Sequence, residues 1–224
     1  ATVQNGSRTC YRNASPSPTK FSLNTKQHEV FMKLGQTFLD ELNTKTSDTS
    51  TVPQLLAYIG GPGGTGKSQV IKAIQHLFLH CDKPSWLKSS AYTGTAASNI
   101  NGRTLASLTL QKKIEKKDKH KSHLRVDMKD IEKLRERFGN NKFIIIDEVS
   151  MISTYQLSKL DARLKQARCS TLPFGGIHML FFGDVIQYPP VCGSPLYRPL
   201  TPPSRKQEMK TKNQQQPEPD KNQT

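Results

Sequence analysis

Leu55-Leu56-Ala57-Tyr58-Ile59-Gly60-Gly61-Pro62-Gly63-Gly64-Thr65-Gly66-Lys67-Ser68 decides how the chain is read. A short apolar run reads as a strand, glycines follow, and Lys-Ser opens a segment with helical periodicity. Gly61, Pro62, Gly63, Gly64, Thr65, Gly66, Lys67 and Ser68 fit G-x-x-x-x-G-K-[ST], the phosphate-binding loop. Glycines let successive backbone N–H groups turn inward around an anion with no Cβ in the way. The helix that begins there adds its positive end. Lys67 is placed to reach the β- and γ-phosphates of a nucleotide such as ATP, and Ser68 to put its hydroxyl on Mg²⁺. An ordinary glycine-rich turn has no reason to fit this pattern between a strand and a helix.

Composition agrees with a globular centre and polar ends. The chain has 224 residues, enough for one domain and tails. Its hydrophobic content is 34% and its mean hydropathy −0.62, low for a compact domain of this length. A net charge of +15 implies an anionic partner, most simply nucleic acid. Cys10, Cys81, Cys169 and Cys192 form no C-x-x-C, which reads as reduced thiols in an intracellular protein. No apolar run approaches the roughly 18 residues of a membrane span, so no membrane partner is expected. The chain starts at Ala1, not Met, as a piece of a longer one would.

Outward from the loop, residues 24 to 42 read as a helix, with Val30, Phe31, Leu34, Phe38, Leu39 and Leu42 at helical spacing. Asn24 caps it and Gln27 completes a capping box. The run from Asn43 to Pro53 is a loop. The helix after the phosphate loop buries Val70, Ile71, Ile74, Leu77 and Phe78. Its His76 and His80 lack the Glu of H-E-x-x-H and read as ordinary helix-end residues. Trp86 to Tyr92 is a second strand, and Thr93, Gly94, Thr95 and Ala96 open a second helix whose free N–H groups can hold a phosphate, such as that of a nucleic-acid strand. Gly102 to Leu108 reads as a basic, hydroxyl-bearing turn. Residues 111 to 137 are a solvated, basic stretch with a helix at about 127 to 138. Tyr155 to Arg168 is a helix and Ile177 to Phe182 a strand. Residues 1 to 20 and 199 to 224 have the composition of disordered ends.

Phe143-Ile144-Ile145-Ile146-Asp147-Glu148 is the second informative stretch. A continuous apolar run reads as a strand buried on both faces, as in a parallel sheet. It delivers two carboxylates at its C-terminal end, where open α/β sheets bind ligands. Asp147 can hold Mg²⁺ through water and Glu148 can polarise an attacking water. Gln187, after Gly183-Asp184-Val185-Ile186, belongs at the strand-end rim, where an amide senses the γ-phosphate. The phosphate loop and the acid pair are expected to converge from neighbouring strand tips. A GTPase reading fails because Asn141-Lys142 has no Asp in the base-reading position. A small-molecule kinase reading lacks a recognisable lid and leaves the basic charge unexplained.

Together, GPGGTGKS, AYTGTAASN, IIIDEVSM and GDVIQYPPV resemble the superfamily 1 DNA helicases of the PIF type and the related Helitron helicases. The resemblance covers about residues 21 to 198 and implies the first RecA-like domain, an α/β phosphate-loop fold with a mostly parallel sheet and helices on both faces. It implies that Gln27 contacts adenine, that Lys67 and Ser68 hold phosphate and Mg²⁺, and that Asp147 and Glu148 are the metal-holding acid and the catalytic base. Thr93 to Ala97 match the turn that contacts single-stranded DNA. Gln187 matches a motif written G-D-F-x-Q-L-P-P, with Val185 and Tyr188 replacing Phe and Leu.

The family's second RecA-like domain supplies arginines to the γ-phosphate and half of the DNA track, and residues 199 to 224 contain none. Such an arginine is worth about 10³ to 10⁵ in rate in related enzymes. The chain by itself is therefore expected to be a monomer that binds ATP and hydrolyses it slowly. A non-catalytic ATP- or DNA-binding module is the alternative. The resemblance implies 5′-to-3′ unwinding of single-stranded or partly duplex DNA, roles in repair, recombination and telomere upkeep, and a place in the nucleus or mitochondrion.

Overall fold

A computed structural model describes residues 21–44, 52–110 and 128–197. The lead-in expected over residues 1 to 20, the tail over 199 to 224, the basic stretch from 111 to 127 and most of the 43 to 53 loop lie outside these. The described elements run α1 (Thr25–Asn43), β1 (Leu56–Gly60), α2 (Lys67–His80), β2 (Leu87–Ala91), α3 (Gly94–Asn99), β3 (Arg103–Thr104), α4 (Leu105–Leu108), α5 (Met128–Phe138), β4 (Phe143–Asp147), α6 (Thr154–Arg168) and β5 (His178–Gly183). Short 3₁₀ turns precede β2, follow β4 and precede β5.

The five strands form one sheet in the order β1-β5-β4-β2-β3, with every pairing parallel. The chain leaves β1 for β2 across the positions later filled by β5 and β4, so the loops at the C-terminal strand ends open toward one rim. Phosphate loop and acid pair do not rise from adjacent strands, contrary to the expectation above. β5 lies between β1 and β4, which puts the two tips about 10 Å apart at ordinary strand spacing. A triphosphate and its metal need about that room.

Alternation along β4 and β5 builds a core on each face. Phe143 and Ile145 point to the layer of α1, α2 and α3, and meet Phe38, Ile74, Leu77 and Phe78. Ile144 and Ile146 point to the other layer and meet Leu105, Leu134, Phe138, Leu160 and Leu164. All four strand residues are fully buried, which is why the segment reads as an unbroken apolar run. On the first face Phe38 meets Phe78 edge-on at a centroid distance of 4.6 Å and Phe143 at 6.5 Å. Burying each such ring contributes about 1.5–3 kcal/mol.

Both capping boxes form: Asn24 with Gln27 on α1, and Ser153 with Gln156 on α6. The stretch expected to be a turn at 102 to 108 is instead a two-residue edge strand and one helical turn. Gly102 makes this possible, because a Cβ there would stand 2.5 Å from the Ser89 carbonyl oxygen.

A polar staple fixes the opposite end of the sheet. The His178 Nδ1 accepts from the Leu55 N–H at 2.9 Å, so Nε2 carries the proton and donates to Glu41 at 2.9 Å. Lys142 pairs with the other Glu41 oxygen at 3.0 Å. The His178 bond, then Lys142, hold the Glu41 carboxyl below its ordinary value against the opposing effect of burial. A carboxyl whose folded pKa is depressed stabilises the fold above its unfolded pKa, and that stability is lost as pH falls through the folded value. Glu41→Ala is expected to cost about 1–3 kcal/mol at neutral pH. Its urea midpoint should also fall less than the parent's on acidification. Parallel acid profiles for the two proteins would remove this staple as a source of stability.

Candidate active site

β1 ends at Gly60, and the Gly61 N–H donates to the Gly183 carbonyl at the tip of β5 at 3.2 Å. The loop then closes on itself: Thr65 Oγ1 donates to the Pro62 carbonyl at 2.8 Å, and Gly64 and Gly66 take φ of +77° and +81°. Gly66 also abuts Gln27. A Cβ on it would meet the Gln27 Nε2 at 2.5 Å, so glycine is required for both conformation and space. α2 begins at Lys67, and its first N–H groups point into the loop. Lys67 Nζ donates to the carbonyls of Gly61 at 2.5 Å and Pro62 at 2.9 Å, curling back over the cradle.

Gln27 joins the site by a route its capping role does not foretell. Its Oε1 accepts from the Asn24 N–H while its Nε2 donates to the Thr65 carbonyl at 2.9 Å. One amide thus ties the start of α1 to the phosphate loop. Gln187 comes from the loop after β5, and its Nε2 lies 3.2 Å from where a Cβ on Gly63 would stand. It therefore abuts the loop at Gly63, as Gln27 does at Gly66.

Asp147 closes β4 and Glu148 follows in the left-handed region at φ 54°, ψ 43°. That conformation costs a non-glycine residue about 1–2 kcal/mol. It is held by the Glu148 N–H, which donates to Asp147 Oδ1 at 2.9 Å, and by Thr93 Oγ1, which donates to Glu148 Oε2 at 2.8 Å. Burial, with the Glu148 charge, pushes the Asp147 carboxyl up, while the Glu148 N–H and the charge of Lys67 oppose this. Asp147 thus feels the ammonium of the phosphate loop, although β5 lies between the strands that carry them. The half-buried Asp147 carboxylate and the Ser68 hydroxyl in the first turn of α2 are hard oxygen donors of the kind that would hold Mg²⁺. The donor set therefore fits Mg²⁺ on a nucleotide. Among the described residues no cluster of three or more His, Cys, Asp or Glu could hold a metal by itself; phosphate oxygens would supply the remaining ligands.

Thr93, Gly94, Thr95 and Ala96 form the N-terminal turn of α3, with Thr93 Oγ1 accepting from the Ala96 N–H at 3.2 Å. Gly94 and Thr95 are exposed. The contact between Thr93 and Glu148 has no signal in the sequence, because the two stand 55 positions apart. Basic charge from the 102 to 108 stretch and from α5, both basic in the sequence, gathers with Lys88 beside β3. Lys88, Arg103, Lys133 and Arg137 line a hollow of about 540 Å³ beside β3. Burial, then Arg137 and Arg103, lower the Lys88 pKa. Arg137 is anchored to the Ser107 and Leu108 carbonyls.

A parallel sheet with a phosphate loop after its first strand and an acid pair at the tip of another defines a RecA-like phosphate-loop domain. Residues 23–200 match the family model described as PIF1-like helicase, and the chain belongs to that family. It is 36% identical over 135 residues to the ATP-dependent DNA helicase PIF1 of Candida albicans, an alignment covering 58% of this chain and 14% of that protein. It is 29% identical over 195 residues to the same-named protein of Emericella nidulans, covering 80% and 24%. The crystal structure of the Candida albicans Pif1 helicase superposes with a TM-score of 0.54 at 30% identity, covering 76% of this chain and 34% of that one. Bacteroides Pif1 bound to single-stranded DNA superposes with a TM-score of 0.51 at 25% identity, covering 86% and 36%. The chain thus spans less than a quarter of the length of these curated relatives.

Proposed function

We propose that this chain is the ATP-binding and ATP-hydrolysing half of a 5′-to-3′ DNA helicase, completed by a second RecA-like domain. The observation that supports the reading is that the loop after β1 and the Asp147–Glu148 pair after β4 stand at the same C-terminal edge of one parallel sheet, with β5 between them. Its family and the names of its relatives support the activity, and the single-stranded DNA in the Bacteroides Pif1 structure supports the partner. Roles in repair, recombination and telomere maintenance, a place in the nucleus or mitochondrion, and a monomeric state belong to the same proposal.

In this mechanism the backbone N–H groups from Gly63 to Ser68 ring the β-phosphate, and Lys67 leaves the Gly61 and Pro62 carbonyls for the β- and γ-phosphate oxygens. Gln27, already at the Thr65 carbonyl, lies beside the loop where an adenine edge can pair with its amide. Ser68, and Asp147 through water, would hold Mg²⁺, which would supply neutralisation of phosphate charge. Glu148 accepts a proton from the attacking water, and Gln187 reports the γ-phosphate from the β5 loop. The turn from Thr93 to Ala96 contacts the DNA backbone.

The test is hydrolysis of Mg·ATP by the chain with and without single-stranded DNA, beside unwinding of a 5′-tailed duplex. Slow, DNA-dependent hydrolysis without unwinding is expected. Binding with no hydrolysis would make it a non-catalytic module. Single-stranded DNA affinity should fall steeply with salt, with a slope of about 0.7 per phosphate contacted. If the hollow beside β3 contributes one such contact, Arg103→Gln should lower the slope by about that amount. A slope unchanged by Arg103→Gln would place the DNA path elsewhere.

A further inference from the structure

We propose that the basic hollow beside β3 is a second phosphate site, separate from the nucleotide cradle, and that it takes one compact group of two or more negative charges: a terminal phosphate monoester or a diphosphate. The site does not depend on the proposed function and goes beyond it.

Lys88 pairs with Ile144 in the register of β2 and β4, so it rises from the same face of the sheet as Ile144. Leu134 and Phe138 of α5 pack on that face. A half-buried lysine is out of place there unless an anion balances it. Arg103 joins it from β3, and Lys133 and Arg137 from α5 at i,i+4 spacing, which costs stability when the charges are alike. The four line one hollow of about 540 Å³, with Glu136 the one acid in its lining. None of the four makes an ion pair with an acid among the described residues. Burial and the two guanidinium groups already disfavour the charged form of Lys88. Arg137 Nη1 is taken up by the Ser107 and Leu108 carbonyls at 2.6 and 2.9 Å, which fixes the guanidinium and leaves its other donors without a protein partner among the described residues.

The hollow is remote from the nucleotide cradle. Lys88 lies three positions before Ala91, the partner of Asp147, which puts it about 10 Å below the rim, and β2 is three strands across from β1. The arrangement also selects the kind of anion. A DNA strand presents single charges spaced along a track, whereas these cations surround one concavity. One group with several charged oxygens satisfies more of them, and a guanidinium fork matches two phosphate oxygens at once. Bound there, the anion would tie β3, an edge strand of two residues, to α5.

The experiment titrates pyrophosphate, without Mg²⁺ and at constant ionic strength, into the Lys67→Ala protein, whose nucleotide cradle is disabled. One saturable site is expected by calorimetry, with a rise in melting temperature. Adding Lys88→Met should weaken that site at least about ten-fold, the worth of one charge-assisted contact. Lys72→Gln makes the same charge change on the exposed side of α2 and should leave it unaltered. Without pyrophosphate, Lys88→Met should melt no lower than its parent, because it removes an uncompensated charge; a lysine that only packs would lower the melting temperature when replaced. Absence of a saturable site, or equal weakening by Lys72→Gln and Lys88→Met, overturns the proposal. Oligothymidylates with and without a 5′-phosphate separate the sources of the group. An affinity gained from the 5′-phosphate and lost in Lys88→Met supports a DNA end as the ligand, and pyrophosphate binding with no such gain supports a free phosphate compound. If the unphosphorylated strand weakens on Lys88→Met as much as pyrophosphate does, the hollow is a stretch of DNA track and the proposal is overturned, while the proposed function stands.

Discussion

Lys67→Ala will abolish nucleotide binding while leaving the fold intact. Lys67 Nζ makes two contacts to loop carbonyls, Gly61 and Pro62, that a triphosphate would replace with anionic oxygens. Charge-assisted bonds of this type are worth about 1.5–3 kcal/mol each, so losing two weakens binding by about 10²-fold or more. Stability should not suffer. Lys67 is the first residue of α2, where the helix dipole disfavours a cation and alanine is a better helix former. Titration of a fluorescent ATP analogue, with thermal melting of the same samples, checks both halves. An affinity within a few-fold of the parent would mean the phosphates sit away from this loop.

Glu148→Gln will keep nucleotide binding and lose hydrolysis. The amide preserves the shape of the side chain and an oxygen for the Thr93 hydroxyl, so the left-handed residue at the tip of β4 keeps its tether. What disappears is the proton acceptor, a contribution of about 10²- to 10⁴-fold in rate. Phosphate release under single-turnover conditions, with affinity measured on the same preparation, separates the two effects. Hydrolysis at the parental rate would move the base elsewhere. Thr93→Val provides the contrast, since it leaves the carboxylate in place and alters only what holds it.

These variants act on a site whose parts were unequally legible. The phosphate loop could be read because its demands are local: two left-handed glycines, one lysine and one hydroxyl within a single turn. The acid pair could be read because an apolar run ending in two carboxylates has few uses other than a buried strand that delivers them. Asn24 with Gln27 announced a helix start, and that start formed. β3 was missed because two residues carry no periodicity, and its place depends on Gly102 fitting under the Ser89 carbonyl.

The amino-acid sequence by itself determined most of the strands and helices, β3 and α4 excepted, and which residues could handle a phosphate, since burial alternation, capping and glycine conformation act over a few neighbouring positions. Tertiary structure alone decided that β5 stands between the loop and the acids, that Gln27 reaches the Thr65 carbonyl 38 positions away, and that Thr93 holds Glu148 across 55. Strand order is set by how two apolar layers close on opposite faces of the sheet. That closure is a property of the whole packed core, and no short stretch of the chain records it.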